Sequence, residues 1–294
     1  MVTFFFPLNH IKLFLLVVII FPLHITKGSN KMANESDMNK TSHFVLVHGA
    51  SHGGWCWYRI KDILENMGYK VSCPDLTSSG TDRTDADTVF TFKHYNQPLD
   101  QLLESLPVGE KVILVGHSAG GHSLTKSIHE FPDKIQVAIF IAAAMLHNGF
   151  LTPQDLKDGA PNLSQYGEVY EYGYGQGREN PPTSVLFKKA IQRQLLYQMS
   201  PSEDISLASM LLRPCPIRAL KGMVFEGGKD IDKVPRVYIK TLHDNVITLE
   251  QQDSMIKRWP PSDVYSIDSD HCPMFSNPSQ LLGLLVKIAA KFSS

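Results

Sequence analysis

Apolar positions along the chain follow two rhythms: short continuous runs, and residues spaced three or four apart. The runs His43–Val47, Tyr69–Cys73, Lys111–Val115, Ile135–Ala143, Arg236–Thr241 and Val264–Ile267 read as strands. Between them lie helical patterns. Trp57–Met67 places Ile60, Ile63, Leu64 and Met67 on one face, and Phe92–Leu106 does the same with Leu99, Leu102, Leu103 and Leu106. Further helices are expected from about Gly121 to Glu130, over Glu250–Arg258 and over Pro278–Lys291. Lys111–Val115 is apolar after its first residue, as a strand buried on both faces should be.

Strands alternating with helices imply an α/β fold, a mostly parallel sheet covered on both faces. The rhythm lapses between residues 146 and 212, where no strong strand is expected, only polar Gly-rich turns and two helical patterns. That stretch reads as a cap inserted over the carboxyl ends of the strands, with residues 43–145 and 213–294 forming the core. There is no internal repeat.

The first residues differ from this body. Lys12 precedes the apolar run Leu13–Phe21, Gly28 and Ser29 follow, and the first acidic residue is Glu35. Residues 1–31 therefore have the layout of a signal peptide and are too short in apolar length for a comfortable membrane span. Met32 opens a polar lead, residues 32–42, that would equally suit a cytosolic start. The sequons at Asn34, Asn39 and Asn162 matter only on the secretory route.

Composition narrows the function. The 294 residues carry 28 Lys and Arg against 29 Asp and Glu, a formal charge of −1, which argues against a broad nucleic-acid surface. Cys56, Cys73, Cys215 and Cys272 form no CxxC pair, so neither a zinc site nor a disulfide framework is expected. No metal or organic cofactor is called for. The oligomeric state is left open, a homodimer included.

The chemistry gathers at the ends of three strands. Gly116-His117-Ser118-Ala119-Gly120 fits G-x-S-x-G between an apolar strand and a helix, the setting of a nucleophile on a sharp turn. A serine hydroxyl needs a base, and in this arrangement the base comes last in the chain. His271, in the loop after Val264–Ile267, suits that role better than His243, which reads as solvated or secondary. The histidine needs a carboxylate, and Asp244 lies just past Arg236–Thr241. Asp230 and Asp232 precede that strand, Asp270 adjoins His271 too closely to reach its ring, and Asp75 is expected to tie its own loop. The N–H groups of Ala119 and Ala50 are candidates for holding a developing oxyanion. Met145, Leu146, Tyr166, Tyr170, Phe187, Leu196 and Met210 are candidates for an apolar substrate wall, and Cys272 is expected to line the same pocket rather than act as nucleophile.

Several stretches carry a specific resemblance. HFVLVHGASHGGWCWYRIKDILENMGYKVSCPDL, VILVGHSAGG, RVYIKTLHD and SDHCPMFSNP resemble the plant methylesterase family of the α/β-hydrolases, from His43 to the C-terminus. ENPPTS, LLYQMSP and KRWPPS are similar to the branch that includes methyl indole-3-acetate esterases. The resemblance implies an α/β-hydrolase fold with a helical cap. It also implies hydrolysis of methyl esters of small acids such as indole-3-acetate, salicylate and jasmonate. It places Ser118, Asp244 and His271 on the family's triad, and Ala50 and Ala119 on its oxyanion donors. Hydroxynitrile lyases of the same family carry threonine at the place of Gly49 and lysine at the place of Cys272, so the residues here favour an esterase. A hormone-sensing protein on this fold is a further alternative.

Overall fold

The computed structural model describes residues 42–226 and 231–293. The signal-like segment, most of the polar lead, Asn34, Asn39 and Asp230 lie outside the described residues.

The body opens with β1 (His43–Val47), α1 (Tyr58–Asn66), β2 (Lys70–Ser72), α2 (Phe92–Glu104), β3 (Val112–His117), α3 (Gly120–Glu130) and β4 (Ile135–Ile141). It closes with β7 (Arg236–Thr241), α8 (Leu249–Arg258), β8 (Asp263–Ile267), α9 (Pro273–Ser276) and α10 (Pro278–Phe292). Between these halves come α4 (Pro153–Gly159), β5 (Tyr170–Gly173), β6 (Ser184–Phe187), α5 (Lys189–Leu195), α6 (Ser202–Leu211) and α7 (Ile217–Leu220). The six-stranded sheet has the order β2-β1-β3-β4-β7-β8, and every pairing in it is parallel.

Alternation along the strands explains the layering. Phe44, Leu46, Ile113, Val115, Val137, Ile139 and Val237 join one apolar cluster, while Val45, Val47, Val112, Leu114, Ala138, Phe140 and Tyr238 join the other. Successive side chains point to opposite faces, so a strand buried on both sides needs apolar residues at every position. This is why the runs were continuous in sequence.

Two expectations are corrected. In α1 only Ile60 and Leu64, four apart on one line of the helix, are buried in the core beside Trp57 of the preceding turn, while Ile63 and Met67 are exposed. The segment 146–212 does contain strands: β5 and β6 pair antiparallel as a two-stranded ribbon. Both are four residues long and β5 is half-exposed, too short and too wet for an alternating pattern to show.

All the parallel strands end at the same edge of the sheet. The loops after β1, β3, β7 and β8 therefore converge, carrying Ala50, Ser118, Asp244 and His271 together from distant parts of the chain.

Candidate active site

Ser118 follows β3 directly and has φ of +53°, a left-handed conformation that is strained for a residue with a side chain. Surrounding bonds hold it there. Its N–H donates to Ile141 O at 3.2 Å, and its carbonyl accepts from Gly121 N and Ala144 N at 3.1 Å each. Glycine is required on both sides. A Cβ on Gly116 would come within 2.9 Å of Gly120 O, and one on Gly120 within 2.8 Å of His48 O. The turn thus packs backbone on backbone and lifts Ser118 Oγ toward the open edge. No side chain caps the N-terminus of α3, where Gly121 N and His122 N donate back to Ser118 O and Ala119 O at 3.1 Å each.

The three residues expected to act together meet. His271 Nε2 lies 2.9 Å from Ser118 Oγ, and His271 Nδ1 lies 2.8 Å from Asp244 Oδ2. The same Asp244 oxygen accepts from Thr241 Oγ1 at 2.9 Å, and Oδ1 accepts from Val246 N at 2.7 Å and Ile247 N at 2.9 Å. The carboxylate is buried with these partners, which hold it aimed at the ring. His117 Nε2 donates to His271 O at 2.7 Å, so the residue before the serine also fixes the backbone of the histidine.

The competing acids fall elsewhere. Asp75 ties its own loop by accepting from Gly54 N at 2.7 Å and from Thr81 N and Oγ1 at 2.8 and 2.7 Å. Asp232 binds Arg236 and the Trp259 indole. Asp270 accepts from Cys272 N, Met199 N and Ser200 Oγ, and burial raises its carboxyl above the usual range. His243 is exposed and pairs with Asp268.

Above Ser118 lies a cavity of about 620 Å³ with mainly apolar walls, within the range of small-molecule sites. Ala50, Ser118, Ala119 and His271 line it, as do Tyr170, Phe187 and Leu196 from the wall expected in the sequence. The Ala50 and Ala119 N–H groups are tied into no turn or cap hydrogen bond among the described residues.

The rest of the expected wall is corrected. Met210 is 74% exposed, on the outward side of α6. Met145 and Leu146 turn into the two apolar clusters instead of the cavity, Leu146 against Gly159. Tyr166 packs against the core cluster and is not on the wall. Cys272 is fully buried beside the histidine loop and is not on the wall either; burial pushes its thiol well above its ordinary pKa, so no thiolate forms there.

Sequence reading missed four side chains: His52, His117, His122 and Tyr197. His52 Nδ1 lies 2.9 Å from Ala50 O, and the Tyr197 hydroxyl lies 2.8 Å from His52 Nε2. Burial pushes the His52 pKa down to about 4, so the ring is neutral with one donor and one acceptor. Since Ala50 O can only accept, Nδ1 carries the proton and Tyr197 must donate. Gln198 Nε2 next donates to His243 O, and Met199 N and Ser200 Oγ donate to Asp270. Residues 197–200 thereby hold the loops after β1, β7 and β8 at once. Only the doubled histidine of HGASHGG could have hinted at this in the sequence.

Tyr197→Phe removes the donor and leaves His52 Nε2 buried without a partner. The expected loss of stability is about 1–3 kcal/mol. It is read as a lower urea midpoint at unchanged slope, and an unchanged midpoint would mean that the bond contributes nothing.

The fold and this relay place the chain in a class: hydrolases with a serine elbow on a parallel sheet. Residues 44–283 match the family described as Alpha/beta hydrolase family. Methylesterase 17 of Arabidopsis thaliana is 55% identical over 260 residues, 87% of this chain and 94% of the relative. Pheophorbidase of Raphanus sativus is 45% identical over 247 residues, 83% of this chain and 93% of the relative. The crystal structure of the Arabidopsis methylesterase MES16 superposes with a TM-score of 0.77 at 43% identity, over 85% of this chain and all of that one. The chain belongs to the plant methylesterase family of the alpha/beta hydrolases, and is a serine hydrolase of that family. Among the described residues no helix is long and apolar enough to cross a membrane, and no group of three or more His, Cys, Asp or Glu side chains is arranged to hold a metal ion.

Proposed function

We propose that the protein hydrolyses methyl esters of small, largely apolar carboxylic acids, by an acyl-enzyme route through Ser118, His271 and Asp244. The observation that carries this reading is the unbroken chain Asp244 Oδ2–His271–Ser118 Oγ at the floor of an apolar cavity.

His271 Nε2 takes the Ser118 proton as Oγ attacks the ester carbonyl, and Asp244 stabilises the imidazolium that results. The tetrahedral oxyanion is received by the N–H groups of Ala50 and Ala119. Collapse breaks the bond to methoxide, which leaves as methanol with the proton from His271. Water then attacks the acyl group with His271 again as base, releasing the acid and restoring Ser118. No further group is required for atoms and charge to balance.

Residue 49 supports an esterase over a hydroxynitrile lyase. A Cβ there would stand 2.8 Å from Ser118 Cβ and 3.2 Å from His117 O, so a threonine could enter only by displacing the nucleophile. The fully buried, neutral thiol of Cys272 supplies no positive charge for a leaving cyanide. The acids proposed are those of the indole-3-acetate, salicylate and jasmonate class, esters that an apolar wall and two N–H donors can recognise by shape.

The test is steady-state methanol release from a panel of these methyl esters, with methyl pheophorbide included. Many turnovers per active site on at least one ester are expected. A single turnover, or tight binding without turnover, would point to a hormone-sensing protein instead.

A further inference from the structure

Most polar side chains on the cavity wall are already engaged. His52 is held between Ala50 and Tyr197, His117 and His271 belong to the relay, and Thr152 bonds Asp155. His122 is not so engaged. It is 4% exposed, lines the cavity, and has no hydrogen-bond partner for either ring nitrogen among the described residues. Its Nδ1 is entirely buried, and the face of Phe150 lies beside the ring at 4.9 Å between centroids. Burial alone pushes its pKa down to about 4, so the ring is a neutral donor and acceptor at ordinary pH.

An unpaired polar group of this kind costs about 1–3 kcal/mol and calls for an explanation. A leucine there would match the surrounding wall at no such cost. Position supplies the explanation. His122 sits in the first turn of α3, four residues after Ser118, and lines the same cavity. An acyl group bound with its carbonyl at Ser118 would set its far edge near this ring.

We propose that His122 is a specificity residue that recognises a hydrogen-bonding heteroatom on the acyl part of the ester: a ring N–H, a hydroxyl or a ring carbonyl. The inference rests on the esterase reading for what occupies the cavity. It does not depend on turnover, because the same contact acts on the free acid. Its consequence is discrimination between esters of equal shape. A neutral hydrogen bond formed in place of one to water contributes about 0.5–1.5 kcal/mol, a preference of about 2- to 12-fold.

Matched pairs test it. Methyl indole-3-acetate is compared with methyl 1-naphthaleneacetate, and methyl salicylate with methyl benzoate, as ratios of kcat/KM. The Kd values of the corresponding acids are measured by calorimetry on the same proteins. The wild-type protein is expected to favour the heteroatom-bearing member of at least one pair by the factor above. In His122→Leu the ratio falls to about one, while His122→Gln, which keeps a polar atom near Nε2, retains part of it. Tyr170→Phe, which removes a different polar atom from the wall, leaves the ratio in place. Because His122 has no bond to lose, His122→Leu folds, and its urea midpoint is no lower than that of the wild type.

Equal affinity for both members of every pair, or a ratio that survives His122→Leu, overturns the proposal. So does a ratio that Tyr170→Phe abolishes. A preference in acid binding without ester turnover would sustain the role of His122 and overturn the esterase reading instead.

Discussion

Replacing Asp244 with asparagine is expected to lower kcat on a methyl ester by about four orders of magnitude, with KM nearly unchanged. The reason lies in the four hydrogen bonds that its carboxylate accepts. An asparagine oxygen can still accept from Val246 N and Ile247 N, so the loop survives. Its amide nitrogen then faces His271 Nδ1, where donor meets donor, and the imidazole turns to the tautomer protonated on Nε2. That proton points at Ser118 Oγ, and the base is lost. A factor of 10⁴ corresponds to about 5.4 kcal/mol of barrier. Circular dichroism and the urea midpoint would show whether the fold is retained, and a loss under tenfold would remove Asp244 from the relay.

Acid should destabilise the protein well before its carboxylates are protonated. Burial is the first cause for each of His48, His52, His117 and His122, and it lowers all four below the ordinary 6.5, His52 and His122 to about 4. The unfolded chain binds these protons from about pH 6.5 downward, and the folded chain refuses them until lower pH, His52 and His122 until about pH 4. Stability is therefore whole above pH 6.5 and falls as the pH drops through that window. The fall is up to about 1.4 kcal/mol per pH unit for each histidine. Asp100 and Asp270, raised by burial, act in the opposite direction and offset part of the loss at the acid end. Urea midpoints at pH 7, 6, 5 and 4.5 should decline steeply, and His122→Leu should flatten the decline by about one proton. A flat profile would mean that these rings are charged in the folded state.

The sheet was legible because burial on both faces writes itself into sequence: β3 and β4 are continuous apolar runs with no other plausible place in a fold. The elbow was legible for a related reason, since Gly116 and Gly120 stand where any Cβ would strike backbone. Asp244 and His271 could be chosen because parallel strands deliver their carboxyl-end loops to one edge, which chain order alone reveals. The wall was not legible. Met145 and Leu146 look no different in sequence from Phe187, and only tertiary packing turns the first two into the core and the third toward the cavity. His52 and Tyr197 are 145 residues apart, and no local pattern records their bond. The isolation of His122 is still less visible, because it consists of partners that are not there.

Acyl transfer through Ser118 is tested most directly with an organophosphonate that mimics the tetrahedral intermediate. The account predicts a single adduct per chain by intact mass, located at Ser118 by peptide mapping. It also predicts that Ser118→Ala takes up no adduct and releases no methanol above background. An adduct on Cys272 or elsewhere, or sustained methanol release by Ser118→Ala, would contradict it.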